Sequence, residues 1–518
     1  MSHYLRRLAT TGAAYTASSV LSKLIAVALL PLYTAYLSPA DFGAAEVLFA
    51  AVVAASIVIR LGLIEALLRF YYVAGEDPDE VVRTSFAALF WATTAAALIA
   101  LPFAGPISDA LLDQPRADLG RLAIGGLWVL TMFEYLLSIF RLEERARAYF
   151  VTTIANVVVT IPVTVVLIVA ADEGARGLLL GSYGAGALFL VGLFAVHRRR
   201  LALLPDRALL ARLMRFGFPT MPAEISLYSL NVIDRIIIVR YAGLAEAGLY
   251  ALAVKFAQAI NVIARGFQLA WPPLAYSIRD DEEARRVYAG IITWFVAGLA
   301  FIVVGMWLEA RWIARILAAP EFFDSFEAIG LLATGVALYA LYLALVVILG
   351  RTGRTGFNFP ATGAATAANV VLNLVLVPDH GIVGAGIALV GSYIVVLALM
   401  YAFTQRLFPV PYEWGRLVRV VLVAVAVVVP GELLLPSDGA IGLVSRAALW
   451  LVFPLALWAS GFLSAEERRS LATLGRPREL AARLRAAASR PAAEGAETDR
   501  GSIPEVYEAE LRDEDSRN

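Results

Sequence analysis

The residues able to do chemistry are polar side chains set into an apolar background between Met214 and Gln268. Glu224, Tyr228, Asn231 and Arg235 follow one another at spacings of four, three and four. At 100° per residue they form a stripe on one helix face. Lys255, Gln258, Asn261, Arg265 and Gln268, spaced three, three, four and three, form a second stripe after a turn expected near Gly243. An ionised side chain at a bilayer centre costs about 2.5–3.5 kcal/mol even on the lenient insertion scale, so charges within a span face a bundle interior or a wet cavity. These stripes therefore predict two helices that line such a cavity. Lys23 is also deep in a span and belongs with Lys255 as a cavity cation.

Arginine grips phosphate oxygens with a planar fork, whereas lysine is a mobile point charge. Arg60, Arg235, Arg265, Lys23 and Lys255 are thus the candidates for binding an anion. Arg60 and Arg265 read equally as snorkelling anchors at span ends. Arg235 reads equally as one member of a structural ion pair with Glu224 or with a carboxylate on another helix. Asp234 points about 100° away from Arg235 and need not pair with it. Glu224 and Asp234 are the candidates for coupling, as carboxylates able to carry a proton or hold a sodium ion. Tyr228, Asn231, Gln258, Asn261 and Gln268 complete a polar lining; the amides could bind sugar hydroxyls or join helices. Glu46, Glu65 and Glu134 fall nearer span ends and are expected to be solvated or paired.

The chain that must position these groups is strongly apolar. It has 518 residues, 60% of them hydrophobic and 17% charged, with 43 basic and 43 acidic residues and a mean hydropathy of +0.74. That composition defines a polytopic membrane protein. A span takes about 20 apolar residues, and fourteen such stretches lie near 11–37, 43–66, 83–103, 120–140, 149–171, 177–196, 215–241, 245–269, 288–308, 328–349, 357–378, 382–404, 416–434 and 440–462. Arginines concentrate on the side that holds both ends, at Arg6, Arg7, Arg141, Arg145, Arg147 and the run Arg198 to Arg200. The positive-inside rule makes that side, and both termini, cytoplasmic. The start reads as a retained first helix rather than a cleaved signal.

The basic connection after the sixth span divides the chain into residues 1–200 and 201–408, six spans each, followed by a two-span piece, 409–463. The tail, 464–518, turns soluble: first basic and amphipathic, then acidic and disordered in character. Laying 15–62 over 220–267 at an offset of 205 aligns Tyr36 with Tyr241, Asp41 with Glu246, Gly43 with Gly248, Ser56 with Asn261 and Arg60 with Arg265. A second echo links GARGLLLGSY from Gly174 with GIVGAGIALVGSY from Gly381. The expected fold is accordingly all-α, with two pseudosymmetric six-helix lobes plus two C-terminal helices, the lobes related by an axis along the membrane normal.

Other chemistries find no support. There is no cysteine, and His3, His197 and His380 are far apart, so neither thiol catalysis nor a histidine zinc site is indicated. No phosphate-cradling G-x-x-x-x-G-K-[ST] occurs. Basic residues are dispersed rather than gathered into a nucleic-acid face. No cofactor is expected.

Four phrases in order resemble the polysaccharide transporter family of the multidrug/oligosaccharidyl-lipid/polysaccharide (MOP) exporter superfamily, the Wzx-type flippases. They are PLYTAYLSPADFGAAEVLFA, RLGLIEALLRFYY, FGFPTMPAEISLYSLNVIDRIIIVRYAGLAEAGLYALAVKF and ANVVLNLVLVPDHGIVGAGIAL. The resemblance covers most of the chain. It implies a MATE-like pair of lobes around a cationic cavity, alternating access, and a polyprenyl-diphosphate-linked oligosaccharide as cargo. It also implies a place in O-antigen, capsule or exopolysaccharide synthesis at the cytoplasmic membrane, with membrane lipids, a glycan polymerase or a chain-length regulator as partners. Drug antiporters of the superfamily usually stop at twelve spans, so the pair at 416–462 favours a lipid-linked cargo. The arginine-rich first span of lipid II flippases is not matched by SSVLSKLIAVALLPLY. The competing readings are a small-molecule antiporter of the same fold and a membrane glycan polymerase.

Overall fold

The computed structural model describes residues 25, 27–72, 77–463 and 467. Every regular element among them is a helix. In chain order the α-helices are α1 Leu30–Tyr36, α2 Pro39–Arg60, α3 Leu63–Phe70, α4 Pro78–Ala100, α5 Ala104–Leu112, α6 Ala117–Leu142, α7 Ala146–Val165, α8 Gly174–His197 and α9 Arg207–Gly217. They continue with α10 Met221–Ala257, α11 Ile260–Ser277, α12 Asp281–Leu308, α13 Ala310–Leu317, α14 Phe326–Arg351, α15 Asn358–Leu407, α16 Trp414–Leu434 and α17 Gly439–Ala459. The chain separates into a large unit, Met1–Ser460, and a small one, Gly461–Asn518.

Local sequence explains where the helices begin. Ser38 caps α2 by accepting from the Asp41 amide, with Pro39 at the first helical position. Asp77 and Asp280 do the same for α4 and α12, the latter followed by three acidic residues that suit the positive helix start. Arg315 lies 2.6 Å from Asp438, in the loop before α17, and its hydrogen bond holds that carboxyl below the usual carboxylate range.

Eleven helices, or helices continued through a 3₁₀ or π turn, are long and apolar enough to cross a membrane among the described residues. Two of them fold back on themselves. Gly243 interrupts α10 with φ 89° and ψ 175°, and Tyr250 then donates to Asp234, sixteen residues earlier, at 2.7 Å. On a straight helix that separation would be about 24 Å, so the two arms run side by side. Gly381, with φ 50°, does the same in α15, bringing Gly384 against the Leu376 carbonyl and Gly391 against the Leu372 side chain. Positive φ carries no penalty only for glycine, which is why both reversals sit there. The expected span at 11–37 lies largely outside the described residues, and the count of fourteen is not reached among them.

The internal repeat has a direct geometric signature. α2 lies along α10, the principal contact between the two halves of the sequence. A Cβ on Gly43 would stand 2.1 Å from the Leu244 carbonyl oxygen, and one on Gly248 would stand 2.0 Å from that of Pro39. The offset of 205 equates Gly43 with Gly248 and Pro39 with Leu244, so the two contacts are reciprocal, and a Cβ on Gly43 would also stand 2.8 Å from the Gly248 nitrogen. A residue meets its own equivalent, with reciprocal neighbours, only beside a two-fold axis. The second echo agrees: Gly174 packs against the Asp41 carboxylate and Gly381 against Glu246, each glycine with φ 50°.

Because backbone meets backbone at this crossing, Gly43→Ala is expected to lower stability by about 1–3 kcal/mol, as overpacking does. Gly266→Ala, where an added methyl meets nothing within 4 Å, should be neutral or gain up to about 1 kcal/mol of helix propensity. Thermal unfolding of the two variants in detergent separates these outcomes.

Candidate functional site

The Gly43–Gly248 crossing brings one carboxylate of α2 within reach of both arms of α10. Glu46 lies one turn inside the crossing and is only 7% exposed. Lys255, from the second arm, places its Nζ 2.8 Å from Glu46 Oε1. Arg235, from the first arm, donates to the Glu46 backbone carbonyl at 2.8 Å and stands 3.6 Å from Oε2. Lys255 also lies 5.9 Å from the centre of the Phe42 ring. Sequence reasoning placed Glu46 toward a span end among solvated or paired residues. The structure makes it the paired and buried centre of the contact between the halves.

A second polar cluster lies behind Asp234, which is 1% exposed. Its carboxylate accepts from the Tyr250 hydroxyl at 2.7 Å and from the Asn373 amide at 2.7 Å. Asn369, one turn earlier on α15, is fully buried beside it. Neither side-chain amide atom of Asn369 has a hydrogen-bond partner, nor does Asn373 Oδ1. The Tyr250 hydroxyl and the Asn373 amide nitrogen thus answer the carboxylate, while the unpartnered Asn369 amide and Asn373 Oδ1 leave oxygen atoms near it of the kind a hard cation takes. Tyr250, Asn369 and Asn373 were absent from the sequence-based set. The available signal was the four-residue spacing of the two asparagines inside an apolar span.

Against the contact between the halves lies a cavity of about 320 Å³, lined by Ile57 from the first half and from the second by Glu224, Tyr228, Asp234, Arg235, Tyr250, Gln258, Asn261, Tyr339 and Tyr393 among others. Five of the residues singled out in the two stripes, and Asp234 beside them, therefore face one space. Gln268 is half-buried and outside this lining. Arg60 is turned to Glu134 at 2.7 Å, with Ser56 Oγ and Thr131 Oγ1 bonded one turn away at 2.9 Å. Arg265 is exposed and has no ion pair among the described residues. Lys23 lies outside the described residues, as does the side chain of Asn231. Of the four described candidate cations, three are thus answered by carboxylates. The surplus positive charge rests on the Arg235–Lys255 pair, which shares one carboxylate, and on Arg265.

The sequence that builds this geometry matches a known family. The model of the family described as "Polysaccharide biosynthesis protein" matches residues 9–278, more than half of the chain. The chain is a member of that family and a multi-pass membrane protein. It is 26% identical over 321 residues to the succinoglycan biosynthesis transport protein ExoT of Rhizobium meliloti, an alignment covering 59% of this chain and 61% of the relative. It is 21% identical to the uncharacterized membrane protein MJ1068 of Methanocaldococcus jannaschii, over 43% of this chain and 45% of that one. The chain therefore spans about half to three fifths of these relatives. Its fold is similar to the lipid II flippase MurJ in an inward closed conformation, with TM-score 0.67 and 10% identity over 88% of this chain and 100% of that one. A multidrug resistance MATE transporter of the MOP superfamily, inward-facing, follows the fold at TM-score 0.60 and 14% identity, over 77% and 96% of the two chains.

The Asp234 cluster supplies a test of its own. Tyr250→Phe deletes one hydroxyl that donates to a buried carboxylate, and hydrogen bonds to charged groups contribute about 1.5–3 kcal/mol. Its melting temperature should fall clearly below that of the wild type, whereas Tyr241→Phe, at an exposed tyrosine, should leave it unchanged.

Proposed function

We propose that this protein flips a polyprenyl-diphosphate-linked oligosaccharide across the cytoplasmic membrane by alternating access, for synthesis of a surface polysaccharide of the O-antigen, capsule or exopolysaccharide kind. The observation that carries this reading is the Arg235–Lys255 pair at the contact between two pseudosymmetric halves, with Arg235 lining the adjoining cavity. Two cations held by one carboxylate leave a net positive charge at the meeting of the halves, where a diphosphate would be received. Opening and closing of the halves at the Gly43–Gly248 crossing would expose that charge to one side of the membrane and then the other. Both termini then lie in the cytoplasm.

A second feature supports a lipid-linked cargo. Between α12, α14 and α16 runs an almost wholly apolar groove of about 600 Å³, lined by Val296, Val303, Leu338, Val421, Val425 and Val428 with Glu432 at its rim. An isoprenoid tail fits such a surface by chemistry, and α16 belongs to the C-terminal pair that a twelve-span antiporter would lack. In the small-molecule alternative the tail groove has no use. In the polymerase alternative a catalytic acid–base set would be needed, and none of the clusters described above provides one. Asp234 with Asn369 and Asn373 is the place for a coupling cation, and Glu224, at the cavity wall, is the second carboxylate available for coupling.

Proteoliposomes carrying a fluorescent polyprenyl-diphosphate oligosaccharide test the reading. Purified protein should speed protection of the label from an impermeant quencher relative to empty vesicles; equal rates would refute it. Within that assay, Lys255→Glu combined with Arg265→Glu should slow flipping at least tenfold at unchanged protein level, the equivalent of about 1.4 kcal/mol or more in the barrier.

A further inference from the structure

The contacts that close the two halves against each other gather at one end of α2, and Glu46 joins them to Arg235 at the cavity wall. Around the Gly43–Gly248 crossing, Thr34 accepts from the Ala319 amide at 3.0 Å. Phe42 meets Phe322 edge-on at 5.7 Å, and Arg240 pairs with Asp113. Thr34, Phe42 and Asp113 come from the first half; Ala319, Phe322 and Arg240 come from the second. Most of these contacts exchange readily for water or lipid when the seam parts. The Glu46 contact does not. If α2 withdraws from α10, Glu46 leaves Lys255 and Arg235 uncompensated within a span, and three charges lose their partners together.

An anion supplied from elsewhere answers the two cations and leaves Glu46 alone to be met by water entering the seam. Arg235 lines the cavity, and the Lys255 side chain remains 31% exposed although bonded to Glu46. Arg235 can therefore be reached by a ligand in the cavity, and Lys255, outside that lining, by one at the exposed part of its side chain, before either is released by the protein. The Arg235 bond to the Glu46 backbone carbonyl holds its guanidinium in position while the carboxylate contact, at 3.6 Å, is loose enough to be replaced. Resting on the flippase reading above, we propose that Glu46 is a built-in substitute for the cargo diphosphate, holding Arg235 and Lys255 and closing the Gly43–Gly248 seam until phosphate oxygens displace it. Empty protein is then locked, and loaded protein is free to reorient. Arg235 and Lys255 bind the anion directly; Glu46 acts through them as a positioning residue.

The native absence of cysteine makes the seam accessible to spin labels at Tyr36→Cys and Tyr241→Cys, repeat-equivalent positions that are each 53% exposed. In phosphatidylcholine nanodiscs, inorganic pyrophosphate should shift the distance distribution of otherwise wild-type protein toward longer values. Glu46→Gln, which keeps the side chain's shape and removes its charge, should show the longer distances without pyrophosphate and bind pyrophosphate about tenfold more tightly, because the internal competitor has gone. Lys255→Gln should bind it more weakly. A wild-type distribution insensitive to pyrophosphate overturns the proposal even if Glu46→Gln fails to fold. So does a folded Glu46→Gln variant whose distances and affinity match the wild type. Nanodiscs doped with phosphatidylglycerol form the third arm: a shift there, without one from pyrophosphate, would assign the displacing anion to a lipid headgroup and refute the cargo role. Flipping that persists while the seam ignores pyrophosphate removes this inference alone. A responsive seam in a protein that flips nothing removes the flippase reading and leaves the anion-operated lock.

Discussion

A carboxylate shut inside a membrane-spanning bundle must be answered by cations, and Glu46 is answered by two. Its 7% exposure leaves no room for solvation, so the charge is tolerable only where Arg235 and Lys255 converge. That convergence sets demands on the backbone. The two cations lie twenty residues apart in sequence, so α10 must fold back between them, and it does so at Gly243. α2 must also come close enough for a short side chain to reach both arms. The glycine crossing permits this, since any side chain at Gly43 or Gly248 would strike the opposing backbone.

Adjacent residues on one helix arm serve two different purposes. Asp234 turns into the second half, where Tyr250 and Asn373 hold it and tie the arms of α10 to α15. Arg235, about 100° around the helix, turns toward α2 and the first half. The two clusters therefore sit back to back on one helix arm, with no hydrogen-bonding side chain shared between them.

Much of the site is legible from residue type and period alone. Glu224, Tyr228, Arg235, Gln258 and Asn261 share one cavity because helical spacing places them on facing stripes, and the penalty for charge in hydrocarbon forbids them to face lipid. The pseudosymmetry is legible too, because the offset of 205 pairs Gly43 with Gly248 and those residues touch. What is not legible is which charges cancel. Arg60 and Arg265 occupy equivalent repeat positions, yet Arg60 meets Glu134 while Arg265 has no ion pair among the described residues. The repeat preserves backbone position, not the identity of the neighbour across the interface, so a cation count overstates the free positive charge.

The amino-acid sequence by itself determined the membrane-spanning all-α class, the polar stripes, the reversal at Gly243 and the two-fold repeat, because these follow from hydropathy, helical period and the conformational freedom of glycine. Tertiary structure alone decided that Glu46 would join Arg235 to Lys255, that Asp234 would meet Tyr250 and Asn373, and that the halves would close where Gly43 meets Gly248. Those outcomes depend on distances between segments remote in the chain. A charge carries its cost wherever the sequence puts it, but only the packed fold brings the partner that offsets it.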